Sequence, residues 1–198
     1  IAAAARYWRQ GGMAWVVASG VGIAAAVIFK HPGIACALPA ALLISGRRPL
    51  LALPLLAVSA ALPLLMVVGY FWWHGAMTPF LDCQFLHLLS QHGVVNDQHP
   101  KPLTFRIEEL WQRTYKLLSA YPALLWPAVF GSLVCLLRPT RFRLAALLWM
   151  VTDVALIAVQ RFYYEHYYIQ LFPSAVLVGV VGGGWLLQWE PSRPRPVA

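Results

Sequence analysis

The chain has 198 residues, 60% of them apolar and 11% charged, against roughly 25% charged in soluble domains, which excludes an ordinary soluble domain. Its net charge of +8 would suggest nucleic acid in a soluble protein. Here the cations are scattered over short segments between apolar runs, so no nucleic-acid patch is expected and anionic membrane lipid is the natural counterpart.

A membrane-crossing helix needs about 20 apolar residues, fewer where the bilayer adapts. The run Met13–Phe29 qualifies, and its small residues Ala14, Ala18, Gly22 and Ala26 recur every fourth position, a stripe that would let a second helix approach closely. Residues 33–45 form a short apolar run interrupted at Pro39, read as a tilted or irregular span. Residues 50–73 carry Pro54 and Pro63 and end on Tyr70, Phe71, Trp72 and Trp73, the aromatic finish of a span reaching the interface.

The stretch 74–119 is too patterned for a plain connector. Thr78-Pro79 reads as an N-cap with Pro at the first helical position, and Gly93 as the close of that helix. From Thr104, Ile107, Leu110, Trp111 and Leu118 share one side and Arg106, Glu109, Arg113 and Lys116 the other, with Glu109 and Arg113 in the favourable i,i+4 order. That pattern predicts an amphipathic helix lying in the membrane interface. Apolar runs 120–137, 144–160 and 167–189 follow, the last with Gly179 and Gly183 at helix-packing spacing. The expected fold is therefore all-α and polytopic: one transmembrane unit over 1–198 with six spans and one long outer loop.

Charge gives this arrangement a direction. Arg6, Arg9, Arg47, Arg48, Arg138, Arg141, Arg143, Arg193 and Arg195 occupy four short segments, joined only by Glu190. Short cytoplasmic loops are enriched in such residues, so these segments are read as inside. All six histidines then fall outside. Cys36, Cys83 and Cys135 make no disulfide framework. The opening from Ile1 has no signal-peptide pattern and reads as part of a longer polytopic protein with further spans before it.

In this topology Lys30 and His31 emerge outside, between the first two spans. Arg161, Tyr164, Glu165, His166 and Tyr167 emerge there between the last two. Arginine offers a planar fork to phosphate oxygens, lysine a point charge, and tyrosine a neutral donor. The two clusters thus suit a lipid phosphate, although snorkelling cations and an aromatic belt would use many of the same residue types. Asp153 sits within an apolar run, where it either faces the bundle interior or stays protonated and hydrogen-bonded to a neighbour; structural satisfaction is preferred to a proton relay, because the apolar runs hold no further acid. The sequence fixes no cofactor. A divalent metal is an open alternative: His92, Asp97 and His99 are residue types it could use, but they lack any compact ligand signature, so no metal site is assigned.

The sequence AAAVIFKHP at 24–32 and RFYYEHYYIQLFPSAVLV at 161–178 resemble the GT-C class of integral-membrane glycosyltransferases. The branch is the family 39-like one of protein O-mannosyltransferases and lipid A aminoarabinose transferase. The resemblance implies transfer of a sugar from a polyprenyl-phosphate donor to a protein, lipid or glycan acceptor at the outer face of a bacterial inner membrane. It implies a donor-phosphate site at Lys30, His31, Arg161, Tyr164, His166 and Tyr167. The family's catalytic acid lies in a first outer loop to which nothing in this sequence corresponds. A membrane transporter or a lipid-linked glycan polymerase or ligase is the alternative, and a transporter would be expected to show repeated halves with interrupted helices.

Overall fold

The computed structural model describes residues 1–29, 31–83, 103–159 and 169–188, and among them every regular element is helical. Nine α-helices follow one another: α1 (Ala2–Gln10), α2 (Met13–Phe29), α3 (Ala37–Ile44), α4 (Pro49–Trp73), α5 (Met77–Leu81), α6 (Leu103–Ala120), α7 (Pro122–Leu137), α8 (Arg141–Val159) and α9 (Leu171–Gln188). A 3-10 helix, η1 (His31–Cys36), precedes α3. Five expected spans thus appear as helices with boundaries shifted by a few residues. The sixth, 33–45, is η1 and α3 together.

The segment 31–44 is irregular, but at a different place from the one expected. The tight 3-10 turn occupies His31–Cys36, whereas Pro39 sits in the first turn of α3. A proline there removes no intrahelical hydrogen bond, because the first amides of a helix have no partner within it. Gly33 permits the turn to fold back. A Cβ on it would stand 2.4 Å from the backbone C and O of Ala26, so only glycine allows η1 to lie against α2.

Two helix pairs form the bundle, each crossing at a glycine. On α2 the inward face is Val16, Ser19, Gly20, Ile23 and Ala24. A Cβ on Gly20 would meet Ser59 Oγ at 1.9 Å and the backbone of Leu56 and Ala60 at 2.8 Å. The stripe Ala14, Ala18 and Gly22 faces outward instead, and only Ala26 of that set is used, against Gly33. The physical reason is that close approach needs a small residue at the crossing and larger apolar groups beside it. Val16 and Ile23 supply those groups; an all-small row has few atoms to contribute.

The second pair is α7 with α9. A Cβ on Gly131 would stand 2.0 Å from the Val178 carbonyl oxygen, and one on Gly182 2.6 Å from Gly131 Cα. Gly179 faces Pro127, 3.0 Å from its Cβ by the same measure. The packing glycines are therefore Gly179 and Gly182; Gly183, expected in that role, meets nothing within 4 Å. Residues three apart on a helix share a face as well as those four apart, and the neighbour decides between them.

Two elements depart from expectation. Helix α1 was not foreseen. It buries Ala4 and Tyr7, and Gly11 and Gly12, at φ 79° and 89°, turn the chain into α2. In the long loop α5 starts at Met77 with Ala76 at its N-cap, so Thr78 lies inside the helix and caps nothing. Gly93 lies outside the described residues. Helix α6 agrees with the expected amphipathic segment, and its Ile107, Trp111 and Tyr115 are exposed along one side. The Glu109 and Arg113 side chains lie outside the description.

Helix α4 alone among the described helices is both long and apolar enough to cross a membrane, with a mean hydropathy of 2.5 over its best window. Only 17% of that window is buried. Leu65, Met66 and Trp73 are 64%, 68% and 86% exposed, so α4 is not the interior helix of a water-soluble fold.

Candidate functional site

Seven arginines converge on one end of the bundle. Arg47 donates to the Arg9 carbonyl at 3.3 Å, and the Tyr7 hydroxyl donates to the Arg47 carbonyl at 2.8 Å. Arg141 reaches Ser45 Oγ at 3.3 Å, and Arg143 donates to the Arg138 carbonyl at 2.8 Å. Arg6 lies 4.8 Å above the Trp15 ring, and Arg48 borders the same small cavity as Tyr7 and Arg47. Trp8 stacks on Phe142, which ties α1 to the start of α8 at this end. Residues far apart in the chain are thus gathered as the charge pattern expects.

The opposite end is aromatic. His74 Nδ1 lies 2.9 Å from the Tyr70 carbonyl, Phe71 stacks on Phe80, and Tyr121 meets Phe172 edge-on at 5.6 Å. Of the expected phosphate ligands, His31 opens η1. Lys30, Arg161, Tyr164, His166, Tyr167 and the His31 side chain lie outside the described residues. So do Glu165 and the candidate metal ligands His92, Asp97 and His99. The described elements flanking the two cation segments do meet: η1, which follows Lys30, packs against α8, which leads toward Arg161.

Beneath this end lies a buried polar pair that joins α8 to α9. Asp153 is 2% exposed and Ser174 fully buried. Ser174 Oγ lies 2.6 Å from Asp153 Oδ2 and 3.0 Å from the Leu171 carbonyl. An acid in an apolar bundle is tolerable only with such a partner, which is the role read for Asp153 in the sequence.

One turn before Ser174, Gln170 buries both polar atoms of its amide with no hydrogen-bond partner among the described residues. Sequence reasoning overlooked it. The available signal was an amide between Tyr-Tyr-Ile and Leu-Phe-Pro, where an apolar residue would serve a plain span better. Gln170 and Ser174 thus follow in the chain directly after the segment expected to hold phosphate, and Asp153 pairs with Ser174. Among the described residues no three His, Cys, Asp or Glu side chains gather to hold a metal.

No family model, curated protein or solved structure matches the chain. The reading of its site therefore stands on the residues and their placement.

Proposed function

We propose that the chain is part of a multi-pass protein of a bacterial inner membrane that transfers a sugar from a polyprenyl-phosphate donor to an acceptor at the outer face. The observation that carries this reading is the packing of η1 on α8. The elements that follow Lys30 and precede Arg161 touch, which supports the reading that both segments serve one phosphate.

The membrane part of the reading rests on two further features. The apolar side chains of α4 face outward, as in a helix surrounded by lipid. The described arginines of the short basic segments share one end, which supports reading that end as cytoplasmic. The aromatic end is then outer, and the exposed apolar side of α6 lies along the membrane interface there.

In the proposed site Lys30 and Arg161 neutralise the donor phosphate, whose departure from the sugar needs charge stabilisation. His31, Tyr164, His166 and Tyr167 orient it. The reaction class itself rests on the resemblance at 24–32 and 161–178.

The test is binding of polyprenyl phosphate to the purified full-length protein. Losing one charged hydrogen bond to phosphate costs about 1.5–3 kcal/mol, or one to two decades in affinity. Lys30→Met, Arg161→Ala and His166→Ala are each expected to fall in that range. Arg161→Lys is expected to lose part of it, because a point charge does not replace the bidentate fork. Equal affinities across the set would reduce both clusters to interface anchors and remove the site.

A further inference from the structure

Starting from the arginine end, α1, α8 and α9 enclose an open groove of about 1040 Å³. Trp149, Val176, Val180 and Trp185 form its apolar walls, and Arg9 and Arg143 stand at its charged end with the Thr140 hydroxyl. Along α9 the groove runs from Pro173 to Gly184, roughly 16 Å at 1.5 Å per residue. That is about half of the ~30 Å hydrocarbon thickness of a bilayer. An acyl chain of one leaflet has that reach; a spanning helix would overrun it.

We infer that this groove is a binding site for one anionic phospholipid of the cytoplasmic leaflet, its acyl chains against Trp149, Val176, Val180 and Trp185 and its phosphate at Arg9 and Arg143. Charge complementarity selects the headgroup. The arginine end carries no acid among the described residues, so the phosphate meets uncompensated guanidinium groups. Arg143 spends one amino group on the Arg138 carbonyl and, with five N–H donors in all, retains others for a phosphate. A zwitterionic lipid brings an ammonium into the same field and gains less. The phosphate is seated at Arg9 and Arg143 on the arginine end, whereas the proposed sugar donor meets the protein at the aromatic end, so this lipid is not the sugar donor. Its site ties α1 to α8 and α9 through a common ligand.

The inference rests on the membrane reading above and is independent of sugar transfer. The measurement is native mass spectrometry of the purified full-length protein in detergent, titrated with phosphatidylglycerol or phosphatidylcholine. Wild type is expected to retain phosphatidylglycerol at least tenfold better. Arg9→Ala/Arg143→Ala is expected to erase that preference. Val180→Trp, which fills the groove, is expected to weaken retention of both lipids, and Arg48→Ala, outside the groove, to leave the preference intact. Equal retention of the two lipids by wild type would overturn the inference, as would equal losses in Arg48→Ala and in the double variant. Either result in a protein that still requires detergent for extraction leaves the membrane reading standing. All variants are compared only as monodisperse protein, and Val180→Trp tests the groove without altering charge.

Discussion

Asp153 and Ser174 illustrate how a single polar pair can hold an apolar bundle in register. Asp153 is nearly inaccessible, and its described partner is the Ser174 hydroxyl at 2.6 Å. Ser174→Ala strands the carboxyl without that partner, and leaving a buried polar group unsatisfied costs about 1–3 kcal/mol. We expect a clear fall in melting temperature in detergent. Asp153→Leu/Ser174→Ala, which removes both partners, is expected to recover most of it, since replacing a buried polar pair by apolar groups is close to neutral. Full stability of Ser174→Ala would mean that the pair carries no structural role. Gln170 belongs to the same scale. Its buried amide, one turn before Ser174, adds polar atoms at the start of α9 that composition alone does not reveal.

Among the helices, glycine decides who packs with whom. Gly131 brings α7 onto the backbone of α9 at Val178, while Gly183 one face away meets nothing. Gly131→Val forces the helices apart, an overpacking that costs about 1–3 kcal/mol or more. We expect Gly131→Val to lose monodispersity on size-exclusion chromatography and Gly183→Val to elute as wild type. Equal behaviour of the two would contradict the α7–α9 interface. The positions of the apolar helices were legible in the sequence because a long apolar run has few alternatives to a helix. The faces were less so. Ala14, Ala18 and Gly22 form as regular a row as Val16, Gly20 and Ala24, and the fit of Gly20 against Ser59, Leu56 and Ala60 on α4 distinguishes them. Helix α1 escaped notice because it is short, carries Arg6 and Arg9, and is held through Tyr7 and its bond to Arg47, forty positions away. The Thr78 cap failed for a related reason: α5 is anchored by Phe80 against Phe71, so packing sets where it begins.

For the whole molecule, the distribution of charge carries the account. Arg6, Arg9, Arg47, Arg48, Arg138, Arg141 and Arg143 come together at one end, and His74, Tyr121 and Phe172 lie at the other. This much of the candidate site could be read from sequence, because orientation depends on loop charge and not on side-chain geometry. The proposed donor site depends on Lys30 and Arg161 sharing the outer face, and the proposed lipid groove on Arg9 and Arg143 sharing the inner one. The most direct measurement is cysteine-accessibility labelling in intact cells, in a full-length background with Cys36, Cys83 and Cys135 replaced. Gln98→Cys is expected to react with an impermeant maleimide from outside, and Thr140→Cys only after the membrane is permeabilised. Labelling of both from the same side would contradict the topology, and with it the site built upon it.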